Sequence, residues 1–510
     1  MMVSSELQSY AGLTCDSRKV SENFIFLCIK GNNSDGHEYI ENAINSGAKL
    51  IVLEEAFIDI QENKEKLEKL KKTHTEIEFE VKKDNRVTLA KYANKFYGEP
   101  SKSLNIYGVT GTNGKTTITH LIQELFEVSA EQEEEKRCSL IGTIGIKDQS
   151  SDKYNEIGNT TPSSEFIQSE FKRIKDKGIK LATMEVSSHA LDQKRCLGIS
   201  FKHGIVSNLS QDHLDYHRTM QEYMLAKAQI FKQITDSAIL NLDDEYYKDF
   251  RKEADNEELA IWTFGINSAE ADLKAEAIKI SEAGISYKLK LSEKLQTRAK
   301  DYSEGIEIKL KLNGTFNVYN SLAAILLGIL EGLSLKSIAE NSLKLNPVAG
   351  RFETIFEAGK PTCIVDYAHS PDGLKNILKG ARDLVNNSEN LDNLVCIFGC
   401  GGDRDITKRP QMGRIAFDLA DKVYVTSDNP RSERPSQIIA DILTGFPSMD
   451  KTEVIENRAT AIASAIKNAS QSDLIVIAGK GHEDYQILGD KTIHFDDREH
   501  VREALVKYSV

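Results

Sequence analysis

Apolar positions along the chain fall into short runs separated by stretches of helical spacing, the alternation that builds mixed α/β layers. In the N-terminal part the runs 24–29 and 49–53 predict two strands, and the Lys/Glu-rich stretch 62–72 predicts a solvated helix. Pro100–Ser103 reads as a linker. From Leu104 onward the runs 104–109, 181–186, 204–206 and 238–242 alternate with helical stretches, which predicts a largely parallel sheet. The charged stretch 131–136 reads as an exposed insertion. Between Leu273 and Leu312 the pattern changes to polar/apolar alternation, as in 285–289 and 306–310, and predicts antiparallel hairpins. A last block opens near Pro347. Its runs 362–365, 394–398, 422–425 and 474–477 are each followed by a helical segment, a Rossmann-like alternation. The expectation is an α/β chain of three domains: a small N-terminal one over 1–100, a mostly parallel central one over 101–346 and a Rossmann-like one over 347–510.

Composition narrows the class. With 40% hydrophobic and 28% charged residues the chain reads as soluble and globular. No apolar run reaches membrane-spanning length, and no secretory signal is visible at the N-terminus. The seven cysteines are scattered, and Cys396 and Cys400 lack a second His/Cys pair for zinc, so buried thiols in a reducing cytoplasm are expected. A net charge of -13 excludes nonspecific nucleic-acid binding. An acidic protein binds anions through local cations and backbone N–H groups.

One such place is plain. The run 104–109 leads into Thr110-Gly111-Thr112-Asn113-Gly114-Lys115-Thr116-Thr117 and then into a helix with apolar residues at Ile118, Leu121, Ile122 and Leu125. Strand, Gly-rich turn and helix N-terminus in that order is the setting of a phosphate loop. Its glycines let N–H groups close around phosphate oxygens, Lys115 reaches the β/γ-phosphates, and Thr116 or Thr117 can sit on Mg²⁺. Val109 stands where the usual motif has its first glycine, and the motif alone does not separate an ATPase from a GTPase or a kinase. The Asn-Lys-x-Asp base motif of a GTPase switch is missing after both Asn63-Lys64 and Asn94-Lys95.

Thr-Gly-Thr-Asn-Gly-Lys-Thr resembles the ATP loop of the Mur ligases, which form peptide bonds in peptidoglycan synthesis. Further segments agree in order: Asn159-Thr160-Thr161-Pro162, Glu185-Val186-Ser187-Ser188-His189, Asp212-His213-Leu214-Asp215-Tyr216-His217, Asn317-Val318-Tyr319-Asn320, Gly350-Arg351-Phe352-Glu353, Asp366-Tyr367-Ala368-His369 and Gly401-Gly402-Asp403-Arg404. The resemblance spans nearly the whole chain. It implies a ligase that phosphorylates a carboxylate with ATP and lets an amine displace the phosphate. Two anions must then approach each other, so cations must be fixed between them.

By resemblance, Lys115, Glu185, His213 and Lys227 carry the reaction. Glu185 and His213 would be Mg²⁺ ligands together with a loop threonine, and Lys227 would be carbamylated by CO₂ into an oxygen ligand. Gly111 to Thr117, Asn317, Asn320, Arg351, Asp366 and His369 would hold ATP. Ser17, Asn32, Asn33 and Ser34 match the uridine site; Asn159, Thr160, Thr161, Ser187, Gln193 and Arg195 match residues that hold the muramoyl peptide. Asp428-Asn429-Pro430-Arg431 resembles the signature of members that add meso-diaminopimelate, with Arg404, Gly479 and Glu483 completing the pocket. The physical argument is that diaminopimelate has a distal carboxylate that Arg431 can pair with, whereas L-lysine has none. An unpaired buried partner costs about 2–5 kcal/mol. The implied substrates are ATP, a UDP-N-acetylmuramoyl dipeptide and meso-diaminopimelate, handled by a monomer with no membrane insertion. An L-lysine-adding ligase, a folylpolyglutamate synthase and a non-ligating nucleotide-binding scaffold are the rival readings.

Overall fold

The computed structural model describes residues 4–31, 34–129, 137–148 and 154–508. Asn32, Asn33 and the charged stretch 131–136 lie outside the described residues. The chain divides into two compact units, Met1–Gly108 with Glu133–Gly204 and Ala226–Ser237, and Val109–Gln132 with Ile205–Leu225 and Ala238–Val510.

The first unit opens with a four-stranded parallel sheet in the order Gly12–Thr14, Phe24–Leu27, Ala48–Glu54, Glu78–Lys82. Both its faces are covered, and the side-chain alternation sorts them. Phe26, Cys28, Ile51 and Leu53 pack on one side with Ile40 and Leu67, and Ile25, Leu27, Leu50 and Val52 on the other with Leu89 and Tyr92. The predicted solvated helix is Gln61–Thr73, which buries only Leu67 and Leu70. Asp84 caps the helix Asn85–Phe96 by accepting from Val87 N–H. Pro100–Ser103, expected as a linker, is a 3-10 turn with Pro100 and Ser101 buried. Farther along, Cys138–Gly142 pairs in parallel with Leu181–Glu185 and antiparallel with Gly145–Lys147.

In the second unit Ala260–Gly265 pairs in parallel with Leu273–Ser281. Leu273–Ser281, Gly284–Leu291 and Glu307–Leu310 then form the antiparallel hairpins that the alternation predicts. The mostly apolar helix Thr315–Leu330 is tied to them by a 2.7 Å bond between Tyr287 Oη and Ser321 Oγ.

The last sheet has six strands in the order Glu353–Ile355, Thr362–Asp366, Asp473–Ala478, Asn393–Phe398, Lys422–Val425, Thr452–Val454, parallel except for its first edge strand. Leu474, Val476 and Ala478 face helices Pro371–Asn387 and Lys408–Leu419, whereas Ile475 and Ile477 face Arg458–Asn468 and Asp497–Lys507. Helices on both faces of a parallel sheet make it doubly wound, with its ligand face at the strand C-termini. The fold is α/β, as the alternation predicts.

Candidate functional site

In the second unit the phosphate loop follows the strand Asn105–Thr110 and opens the helix Lys115–Ser129. Gly111 and Gly114 both have positive φ, and a Cβ would run into Ser207 Oγ at the first and Asn320 Oδ1 at the second. Lys115 Nζ donates to the carbonyls of Gly111 and Thr112, each at 2.9 Å. The loop is braced from outside. Asn113 N–H donates to Asn208 Oδ1 at 2.9 Å, and Thr112 Oγ1 donates to the Ser210 carbonyl at 3.2 Å.

A cavity of about 920 Å³ opens beside this loop. Asn113, Gly114 and Thr117 line it, with Asn320, Arg351, Asp366 and His369; apolar walls come from Leu209, Phe264, Phe316 and Ile377. Its size and its mixed lining suit a nucleotide. Thr116 borders the loop and accepts from Arg351 Nη2 at 3.2 Å. The Arg351 guanidinium lies over the Tyr367 ring, 4.5 Å from its centroid, and its Nε is buried without a hydrogen-bond partner.

Asp366 uses both carboxylate oxygens on backbone N–H groups, Phe352 at 2.7 Å and Ala368 at 2.8 Å. Burial pushes its pKa up, and Arg351 opposes that. His369 Nδ1 lies 2.8 Å from the Tyr367 carbonyl, which fixes Nδ1 as its donor. Burial first, then the Lys408 cation, lower its pKa, so the ring is neutral at pH 7. Asn317 lies behind the cavity wall: it donates to the Asn313 carbonyl and receives a bond from Asn320 Nδ2. His213 sits in the left-handed region with φ 55° and is partly exposed beside Asp212.

The residues predicted to hold the amino acid also lie in this unit, around the ends of Lys422–Val425 and Asp473–Ala478. Asn429 Nδ2 donates to Glu483 Oε2 at 3.0 Å, and Lys480, fully buried, contacts the same oxygen at 3.1 Å. Gly479 has φ 126°, and a Cβ there would meet Asp428 Oδ2. Pro430 is buried, with its carbonyl accepting from Glu433 N–H. Arg431, half-buried with φ 52°, donates from Nη1 to the Gly402 carbonyl at 2.8 Å. No described carboxylate pairs with it. Arg404 is exposed.

The first unit gathers a second set of predicted residues. Glu185, fully buried at the end of its strand, accepts from Thr143 N–H at 2.8 Å and from Thr143 Oγ1 at 3.1 Å. Thr143 Oγ1 also lies 3.0 Å from Thr160 Oγ1. Thr161 Oγ1 donates to the Glu185 carbonyl and accepts from Ser187 N–H. Arg195 donates to the Thr161 carbonyl at 2.8 Å and to Gln193 Oε1 at 2.6 Å. Ser187 Oγ caps the next helix. Lys227, only 1% exposed, lies near the end of Met220–Ala228. Asn159 and Ser34 are exposed, and Ser17 is half-buried in a 3-10 turn that Asp16 caps. The structure thus joins Glu185, Thr160, Thr161, Ser187, Gln193 and Arg195 in one network, and leaves Ser17 and Ser34 outside it.

Three residues in these networks escaped the sequence reading. Thr143 follows a strand that periodicity did not reveal. Arg86 reaches both Gln193 Oε1 and the Lys30 carbonyl, yet reads as an ordinary helix arginine. Asp372 Oδ2 accepts from Asn113 Nδ2, Ser210 Oγ and Asn376 Nδ2 at 2.9–3.1 Å, but in sequence it is the common first-turn acid of a helix. Its one available signal is that it follows Asp366-Tyr367-Ala368-His369 closely. All seven cysteines are free thiols, and all but Cys15 are buried.

Comparison with known proteins agrees with this geometry. Three family models match in order: the Mur ligase family catalytic domain over 9–97, the Mur ligase middle domain over 109–328 and the Mur ligase glutamate ligase domain over 350–481. Two relatives, from Halalkalibacterium halodurans and Geobacillus thermodenitrificans, are each 41% identical. They cover 96% and 97% of this chain and 93% and 94% of their own lengths. Both are named UDP-N-acetylmuramoyl-L-alanyl-D-glutamate–2,6-diaminopimelate ligase. A solved structure of the same name is 32% identical, with a TM-score of 0.65 over 98% of this chain and 96% of that one. With the phosphate loop, the strand-end acid and both flanking α/β segments in place, the chain belongs to the Mur ligase family.

Proposed function

We propose that the protein is an ATP-dependent ligase that joins meso-2,6-diaminopimelate to the D-glutamyl carboxylate of UDP-N-acetylmuramoyl-L-alanyl-D-glutamate in peptidoglycan synthesis. The relatives' shared name supports the substrates. The observation that carries the choice of amino acid is Arg431, whose guanidinium has no carboxylate partner among the described residues, whereas Asn429 and Lys480 both pair with Glu483. A distal ligand carboxylate supplies that partner; lysine cannot.

In the reaction a carboxylate oxygen attacks the γ-phosphorus of ATP, the bond to ADP breaks, and an acyl phosphate results. The amine then attacks the acyl carbon, phosphate leaves and the amine nitrogen loses its proton. Lys115 exchanges two neutral carbonyl acceptors for charged phosphate oxygens, a stronger hydrogen bond in each case. Arg351, Asn320 and the loop N–H groups orient the nucleotide, and His369, neutral, offers Nε2 as an acceptor. Thr160, Thr161, Ser187, Gln193 and Arg195 hold the muramoyl peptide; Ser17, Ser34, Asn32 and Asn33 hold the uridine end. Arg404, Asp428, Asn429, Gly479 and Glu483 surround the incoming amino acid.

Each residue matched to Mg²⁺ is of a suitable donor type: in the second unit the Thr116 and Thr117 hydroxyls and the His213 imidazole, and in the first unit the buried carboxylate of Glu185. Lys227, only 1% exposed, matches the family lysine that CO₂ carbamylates, which would turn its ammonium into an oxygen ligand. When bound, Mg²⁺ neutralises charge between the two anions. The uridine, nucleotide and amino-acid roles map to 1–100, 101–346 and 347–510 in a cytoplasmic monomer. Among the described residues no helix is long and apolar enough to cross a membrane.

The test is phosphate release from Mg·ATP, bicarbonate and the UDP-linked dipeptide, with meso-diaminopimelate or L-lysine added and the product weighed. Release with diaminopimelate, and a product heavier by one residue, is the expected result. Preference for lysine would keep the ligase and remove the Arg431 assignment. Silence with both amines would remove the substrate reading.

A further inference from the structure

The helix that starts at the phosphate loop, Lys115–Ser129, carries a buried acid away from the cavity. Glu124 accepts from Asn346 N–H through Oε2 at 2.7 Å and from Asn346 Nδ2 through Oε1 at 3.3 Å. His120 Nε2, one turn back, lies 3.4 Å from the same Oε1. Asn346 and Pro347 are exposed, whereas Leu345 and Val348 beside them are buried. The run continues through Gly350, which bonds Glu353 Oε2, and ends in Arg351 on Thr116.

One helix therefore holds both ends of the connection that leads into the six-stranded sheet. Glu124 grips its start, and Thr116, two turns nearer the phosphate loop, holds its end. Eight steps along the helix place these anchors about 12 Å apart, and the five steps from Asn346 to Arg351 reach at most about 17 Å if extended. A turn in which Arg351 N–H donates to the Val348 carbonyl at 3.0 Å shortens the run. The two ends differ in kind. Glu124 is a buried charged acceptor of a backbone N–H, a strong fixed contact. Arg351 makes one 3.2 Å bond to a neutral hydroxyl, with Nε buried and unpaired, so an arriving phosphate offers it better partners.

We propose that Glu124 is a positioning residue for the nucleotide: by fixing Asn346 it sets the reach of the run whose far end, Arg351, exchanges Thr116 for phosphate. The inference rests on the nucleotide reading of the cavity. It is tested by a double-mutant cycle on the full chain, with ADP binding measured by calorimetry for the parent, Glu124→Ala, Arg351→Ala and the double variant. Loss of a charged acceptor is expected to weaken ADP binding by about tenfold in the parent background. In the Arg351→Ala background the same change is expected to do nothing, because Glu124 acts through that arginine. The KM for the UDP-linked dipeptide stays unchanged. Glu124→Gln, which keeps one acceptor oxygen for Asn346 N–H, restores most of the affinity, and Glu124→Leu, which fills the space without an acceptor, takes alanine's place in the cycle if alanine does not fold. Equal losses in both backgrounds, no loss in either, or a matching rise in dipeptide KM would overturn the proposal while leaving the ligase reading intact. A parent that binds no ADP would overturn the nucleotide reading, and this one with it.

Discussion

Arg431 concentrates the specificity argument in one side chain. Its φ of 52° and its Nη1 bond to Gly402 hold the guanidinium in one orientation, so its remaining N–H groups are presented as a fork. Arg431→Ala is expected to lower kcat/KM for meso-diaminopimelate by about a hundredfold, in line with losing a partly desolvated charge pair. Activity on L-lysine, which never used the fork, falls far less. Initial rates with the two amino acids check this, and equal losses on both would remove Arg431 from the carboxylate. Lys115 was read from the phosphate loop itself, Glu185 from the resemblance of its segment, and Arg431 from a resemblance joined to the distal-carboxylate argument. Thr143 was not legible. A hydroxyl after a short strand is ordinary in sequence, and only the fold shows it spanning Glu185 and Thr160. Asp366 was legible as a site residue, but its two backbone bonds, which brace Phe352 and Ala368, were not.

At the scale of elements, the phosphate loop works because a glycine turn meets the helix Thr315–Leu330 side on. Gly114 has φ 88°, and Asn320 Oδ1 occupies the space a side chain would need. Gly114→Ala adds a left-handed penalty of about 1–2 kcal/mol and displaces Asn320 from the cavity wall. ADP affinity is expected to fall by about tenfold or more. Gly178→Ala is the matched control: its φ is 75° with open space around it, so it costs stability but no affinity. Calorimetry and thermal melts on both variants separate strain from site, and an unchanged ADP affinity in Gly114→Ala would refute the packing argument. Strands with long apolar runs, such as Asn393–Phe398 and Asp473–Ala478, were read from sequence because burial on both faces makes them continuously apolar. Glu78–Lys82, Ala260–Gly265 and the hairpin Tyr485–Leu488/Lys491–His494 were missed. Glu78–Lys82 and the hairpin are edge or half-exposed strands with too few buried positions to stand out from loops, whereas Ala260–Gly265 buries its last four residues but its apolar run is broken by Thr263.

For the whole molecule, stability must bend with pH, and His482 gives the bend a sign. The ring lies against Tyr367 in the loop after Asp473–Ala478, mostly buried and near Arg351 and Arg498. Burial first, then those two cations, lower its pKa from 6.5 to about 3. Above pH 6.5 neither folded nor unfolded chain holds the proton, so the contribution of the neutral ring is fully present. Between 6.5 and 3 only the unfolded chain takes the proton, and stability drains away as pH falls. At pH 5 the loss is about 2 kcal/mol, one and a half pKa units at 1.36 kcal/mol each. His369 is shifted in the same direction, so the parent alone would mix the two. His482→Gln isolates one of them: urea unfolding followed by circular dichroism at pH 7.5 and pH 5 should show the parent's advantage over the variant shrinking by that amount. If the gap between parent and variant is the same at both pH values, the ring titrates alike in the folded and unfolded chain, and the packing around Tyr367 does not keep it neutral.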